Sequence, residues 1–132
     1  MKKIIFITFA VTAILFSSCK KTENDGTVPS VDYTKPENLS GTTWKFFNNP
    51  VVDPSMEWAS LVFKSTSAVE GWSKDKTSNE TKDWTGTFAI VNTAITFTYT
   101  LDSIPQGFSG TISGTSIICS MGGGTTVTFK KQ

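Results

Sequence analysis

The stretch from Trp84 to Leu101 reads Trp-Thr-Gly-Thr-Phe-Ala-Ile-Val-Asn-Thr-Ala-Ile-Thr-Phe-Thr-Tyr-Thr-Leu. It contains two runs in which large apolar residues alternate with small or polar ones, and a short polar connection around Asn92 joins them. Because successive side chains of a strand point to opposite faces of a sheet, each run predicts a strand with one covered face. Two such runs with a short connection predict a β-hairpin.

The alternation continues on both sides of this hairpin, and the chain contains about eight strand candidates in all. The other candidates are residues 44–47, 57–64, 67–72, 108–113, 115–121 and 127–129. Residues 73–83 contain no apolar side chain and predict a solvated loop or a long hairpin tip, and turns are predicted at 104–107, 113–114 and 122–124. Successive hairpins without a convincing helix favour an all-β, antiparallel up-and-down meander closing into a small barrel, with a sandwich as the alternative.

The parity of the strand candidates also predicts the hydrophobic core. Residues on the covered face should be buried together, because a shift of one residue in strand register would move all of a strand's apolar side chains to the other face of the sheet. The predicted core residues are Phe88, Ile90, Ile95, Phe97, Tyr99, Phe108, Ile112, Val127 and Phe129.

The amino-terminal residues predict export. A basic head, an apolar run from Ile4 to Phe16 and a small-residue exit form a signal peptide over residues 1–18, too short to span a bilayer. Phe16-Ser17-Ser18-Cys19 resembles the lipobox of bacterial lipoproteins, and this resemblance implies lipidation of Cys19 and cleavage before it. The alternative is an ordinary secretion signal with an incidental cysteine. Residues 19–38 are polar, carry two prolines and predict a flexible tether, so residues 39–132 form the predicted barrel domain.

Composition excludes several classes of function. The formal net charge is +1, and loss of Lys2 and Lys3 with the signal leaves ten lysines against 11 acidic residues. A near-neutral chain without arginine does not fit nucleic-acid binding. Without histidine, the chain lacks the usual general base and the commonest metal ligand, so we expect no enzyme, no metal site and no cofactor. Cys119 has no nearby base in the sequence and is interpreted as a small buried hydrophobe.

The mature chain resembles the lipocalin-like lipoproteins of Bacteroides-type bacteria. The resemblance rests on Cys19-Lys20-Lys21 with a short polar tether, on 39–45 (Leu-Ser-Gly-Thr-Thr-Trp-Lys), on the threonine-rich alternating strands, and on the final Val127-Thr128-Phe129-Lys130. It implies a calycin-type meander barrel anchored to the cell envelope, with the outer membrane as the expected location. In lipocalins an arginine stacks on the tryptophan of the opening motif, and Lys130 or Lys131 is the candidate for that place here.

The sequence is compatible with two functions. A barrel of about eight strands either fills with side chains or holds one small ligand. In the first hypothesis the protein is a monomer that binds a small apolar or amphipathic ligand; the candidate ligand-binding residues are Trp44, Trp58, Trp72 and Tyr99. In the second, these aromatic residues fill the barrel, and its exterior contacts a protein or glycan partner in the envelope.

The lipobox gives a first prediction. Changing Cys19→Ala removes the only sulfur to which the lipid could be attached at this site, so lipidation and cleavage there should be lost. Incorporation of radiolabelled palmitate by the wild-type and variant chains measures this. Equal labelling of the two chains contradicts the lipobox interpretation.

Overall fold

The computed structural model describes residues 30–47 and 53–132. One short helix precedes eight strands: α1 (Pro36–Leu39), β1 (Thr43–Phe47), β2 (Met56–Phe63), β3 (Ala68–Asp75), β4 (Thr81–Val91), β5 (Ala94–Leu101), β6 (Ile104–Ser113), β7 (Ser116–Ser120) and β8 (Thr126–Lys131). A single 3-10 turn, Gly122–Gly124, lies between β7 and β8.

The strands form one closed antiparallel barrel in the order β1 to β8. Each strand pairs with the next one along the chain, and β8 returns to β1 through the pairs Trp44–Lys131 and Lys45–Lys130. The predicted all-β meander barrel is therefore confirmed. Short connections favour the pairing of antiparallel strands that are neighbours in sequence. The pairing of β8 with β1 joins the two strands that would otherwise be the edges of the sheet.

The turns differ from the prediction in detail. The predicted turn at 104–107 is wrong: β5 and β6 are joined by Asp102 and Ser103, both with positive φ (50° and 66°), and Pro105 already pairs with Thr100. A two-residue turn with two left-handed residues matches the twist of the flanking strands. The turn predicted at 113–114 lies one residue later, since Ser113 pairs with Ser116. The polar stretch 73–83 is a long hairpin, with β3 reaching Asp75 and β4 starting at Thr81.

The core lies inside the barrel, as the parity of the strands predicts. Of the predicted core residues, six are buried: Phe88, Ile95, Phe97, Ile112, Val127 and Phe129. The other three, Ile90, Tyr99 and Phe108, are partly buried. Other fully buried side chains complete the core: Leu39, Trp44, Leu61, Phe63, Val69, Ile117 and Cys119.

Residues 32–39 cover one end of the barrel. The Tyr33 ring packs edge-on against Trp44 with centroids 5.2 Å apart, and Leu39 of α1 is fully buried. Asn38 Nδ2 donates a hydrogen bond of 2.7 Å to the Asp32 carbonyl, which holds this segment together. The folded part of the chain therefore begins several residues before the predicted boundary at Leu39. Cys19, the predicted signal peptide and the first part of the predicted tether lie outside the described residues.

The tryptophan at the start of β1 is held by neutral groups. Trp44 Nε1 donates to Thr42 Oγ1 at 2.9 Å, and Thr42 Oγ1 in turn donates to the Leu39 carbonyl at 2.5 Å. Lys131 Nζ lies 5.9 Å from the centre of the Tyr33 ring. Tyr33 therefore contacts both Trp44 and Lys131, which is one of the two lysines, Lys130 and Lys131, predicted as candidates for stacking on Trp44.

The core contacts predict the effect of Phe97→Ala. Phe97 is fully buried, stacks on Phe108 at 4.5 Å and lies 6.3 Å from Phe63, so truncation should lower the free energy of unfolding by about 3–5 kcal/mol. Urea denaturation measures this. Thr98→Ala, the exposed neighbour on the same strand, is the matched control and should change stability by about 0.5 kcal/mol or less. Equal midpoints for both variants would mean that the side-chain register is wrong.

Candidate functional site

A cavity of about 120 Å³ lies towards the end of the barrel opposite α1. Its lining residues are Ala59, Ser60, Leu61, Gly71, Trp72, Asp83, Trp84, Tyr99, Phe108, Met121 and Phe129. Asp83 and Met121 are exposed, so the cavity reaches solvent beside them. We call this end of the barrel the open end and the end covered by residues 32–39 the closed end.

Three aromatic rings form the inner wall of the cavity. Trp84 on β4 stacks on Tyr99 on β5, with ring centres 4.5 Å apart and planes inclined by 21°. Phe108 on β6 packs edge-on against Trp84, with ring centres 6.0 Å apart. The three side chains come together because Gly86, two residues after Trp84, pairs with Tyr99, and Phe97, two residues before Tyr99, pairs with Phe108. Rings at these spacings favour one another beyond the area they bury.

Gly71 on β3 makes room for the Trp84 indole. A Cβ atom at Gly71 would lie 2.1 Å from Trp84 Cε2 and 2.3 Å from Trp84 Nε1. Those distances are far inside van der Waals contact, so any larger residue at 71 would displace the indole. The cross-strand pair Gly71–Trp84 therefore fixes where the ring stands in the cavity wall.

A β-bulge at the same place brings an acidic side chain to the cavity. Gly71 pairs with Trp84, but the next residue, Trp72, pairs with Lys82, so Asp83 is the extra residue in β4. Bulges change the direction of side chains and are frequent beside functional sites. Asp83 Oδ1 accepts a hydrogen bond of 3.0 Å from Ser73 Oγ, which holds the carboxylate across the β3–β4 pair.

The structure brings only part of the predicted binding set to the cavity. Tyr99 and Trp72 line it, whereas Trp44 is fully buried beneath Tyr33 at the closed end. Trp58 is buried on the outer face of β2, because its neighbour Ala59 is the residue that points inward.

Sequence reasoning missed Trp84 and Phe108 as lining residues. Both were assigned to the covered face by parity, and parity alone does not say which covered residues border a void.

Trp58 and the polar edge of Trp72 belong to a charged cluster on the outside of β1 to β4. Lys45 Nζ lies 4.0 Å from the centre of the Trp58 ring, a cation–π contact. The Trp72 indole N–H donates to Glu70 Oε2 at 3.1 Å, and Lys82 Nζ lies 3.6 Å from Glu70 Oε1. Trp72 thus borders the cavity at the bulge, while its polar edge is held on the outer face.

The cavity lining combines apolar, aromatic and hydroxyl-bearing residues with one acidic residue, Asp83. Within residues 30–47 and 53–132, no group of three or more His, Cys, Asp or Glu side chains is placed to hold a metal ion. No helix in this part of the chain is long and apolar enough to cross a bilayer. No protein-family profile, curated protein or solved structure matched the chain.

Cys119 lies in the core and does not line the cavity. Its thiol is fully buried, and this desolvation raises the pKa of Cys119 from 9.0 to about 12. Because the thiolate is the nucleophilic form, the folded protein keeps this thiol in its unreactive form at neutral pH.

The raised pKa predicts a loss of stability in alkali. Below pH 9.0 the thiol is protonated in both states; between pH 9.0 and about 12 it ionises only in the unfolded chain, so stability falls as pH rises through this window. Going from about pH 8 to about pH 10 should cost wild type about 1.4 kcal/mol more than Cys119→Ala. Urea titrations of both chains at both pH values measure the difference. Parallel pH profiles would contradict the effect of burial on this thiol.

Proposed function

We propose that the protein is a lipid-anchored cell-envelope protein whose barrel binds one small apolar or amphipathic molecule at its open end. The anchor part of the proposal rests on residues 1–19, whose sequence resembles a lipoprotein signal with its acceptor cysteine. The binding part rests on the cavity.

The observation that carries the binding proposal is an aromatic-walled cavity that reaches solvent. Ligand sites are typically concave and largely apolar, with a few polar groups that set orientation. Trp84, Tyr99 and Phe108 supply the apolar wall, and Asp83 supplies a polar group at the edge. A volume of about 120 Å³ suits a single six-membered ring or a short aliphatic chain, since an engineered cavity of about 150 Å³ binds benzene. Haem or a bile acid would extend well outside it.

A second function, contact with an envelope partner, is favoured by the apolar rim of the open end. We use this name for four exposed side chains: Phe47, Leu101, Ile104 and Met121, which are 63%, 48%, 59% and 43% exposed. Phe47 ends β1, Leu101 ends β5, Ile104 begins β6 and Met121 directly follows β7, so the four residues stand around the open end. Leu101 and Ile104 also pair across β5 and β6, and large apolar side chains exposed in one patch often mark a contact surface.

Filling the cavity tests the ligand hypothesis. Ala59→Leu adds three carbon atoms to the cavity lining and should abolish saturable binding of toluene by a chain from Lys20 to Gln132, which contains every described residue. Ala89→Leu adds the same atoms to the exposed side of β4 and should bind like wild type. Heteronuclear NMR follows the indole N–H resonance of Trp84, assigned by its absence in Trp84→Phe.

Two results would contradict binding in the cavity. One is the absence of a saturable shift in the wild-type chain with toluene or with short fatty acids. The other is equal binding by Ala59→Leu and Ala89→Leu, provided that urea denaturation shows both variants folded. Either result favours the partner hypothesis, whose test is the loss of partner capture when Phe47 and Ile104 are changed to serine.

A further inference from the structure

We propose that the molecule bound at the open end is a small amine, with its apolar body against the aromatic wall and its ammonium group beside Asp83. This inference rests on the proposed binding function and specifies the chemical class of the ligand. It follows from the charges around the cavity, from the β-bulge and from the chemistry of the wall.

Among the described residues, Asp83 is the one acidic or basic residue of the cavity lining. The other lining residues are apolar, aromatic or hydroxyl-bearing. A single negative charge at the edge of an apolar cavity favours a ligand with a positive charge and disfavours an anion, because the like-charge encounter is repulsive.

Two lysines near the open end pair with acids other than Asp83. Lys82 pairs with Glu70 at 3.6 Å, and Lys74 forms an ion pair with Glu57. The pKa of Asp53 is lowered first by hydrogen bonds from Ser55 and also by the charge of Lys76. In residues 30–47 and 53–132 no lysine forms an ion pair with Asp83, whose carboxylate accepts a hydrogen bond from the neutral Ser73 hydroxyl.

The β-bulge determines the sign of the charge at the cavity. Strict alternation from the inward-facing Trp84 would place Lys82 inside the barrel and Asp83 outside. The extra residue shifts the register, so Lys82 pairs with the outward-facing Trp72 and Asp83 joins the lining. The bulge therefore replaces a cation with an anion at the mouth of the cavity.

The aromatic wall suits a cation as well as an apolar body. The faces of tryptophan and tyrosine rings carry partial negative charge and attract ammonium groups. Trp84 directly follows the bulge residue Asp83 and stacks on Tyr99, so an ammonium near Asp83 has both a carboxylate and π faces within the same lining.

Three ring compounds of the same size test this inference. The chain from Lys20 to Gln132 is titrated with benzylamine, benzyl alcohol and benzoate, and the Trp84 indole resonance is followed by NMR. We expect benzylamine to bind about fivefold more tightly than benzyl alcohol, as for a partly exposed ion pair, and benzoate to bind most weakly. The preference for benzylamine should shrink as salt is added.

Asp83→Asn is the decisive variant, because the amide oxygen can still accept the Ser73 hydrogen bond while the charge is removed. It should lower benzylamine affinity to that of benzyl alcohol and leave benzyl alcohol unchanged. Asp102→Asn makes the same change in the exposed β5–β6 turn, outside the lining, and should keep the wild-type order.

The outcomes separate the two proposals. Equal binding of all three compounds, or an unchanged order in Asp83→Asn, overturns the amine inference and leaves the binding function standing. Equal loss of preference in Asp83→Asn and Asp102→Asn also overturns it, because the preference would then come from net charge rather than from the site. No saturable binding of any compound overturns both proposals.

Discussion

The pairing of β1 with β8 is the interaction on which the rest of the structure depends. It consists of two residue pairs, Trp44–Lys131 and Lys45–Lys130, supported by a hydrogen bond of 2.9 Å from the Gln132 amide to the Thr43 carbonyl. Lysines opposite one another across a pair of strands repel. Lys45 is drawn instead over the Trp58 ring, 4.0 Å from its centre. The Trp58 side chain on the outer face of β2 thus stabilises the strand pair that closes the barrel.

Closure divides the interior into two parts with different packing. At the closed end, Leu39, Trp44 and Phe63 are fully buried and fill the space beneath residues 32–39. At the open end no segment of the described chain covers the aromatic wall, and the space beside it remains a cavity. The same chain therefore uses aromatic residues as core at one end and as the wall of a cavity at the other.

The sequence predicted the features that depend on alternation and missed those that depend on a break in it. Phe97 and Ile95 are buried because a covered sheet face imposes a period of two, and that period is visible in the chain. The bulge at Asp83 leaves no such signal, since an extra residue in a polar stretch looks like ordinary loop. The turn at Asp102 and Ser103 was not predicted. Pro105 and Gly107 are typical turn residues, and they led to a predicted turn at 104–107. Tyr33 was assigned to the tether because a single aromatic residue shows no alternation from which an ordered element could be predicted.

The contact between Gly71 and Trp84 couples the evolution of two positions on neighbouring strands. A side chain at 71 and the indole at 84 compete for the same space, so the volume of the site cannot change at one position alone. Homologues that carry alanine or a larger residue at the position of Gly71 should carry a smaller ring or an aliphatic side chain at the position of Trp84. Such paired exchanges would alter the shape of the wall while the barrel keeps its strand register, which gives this fold a route to new cavity shapes without a new backbone.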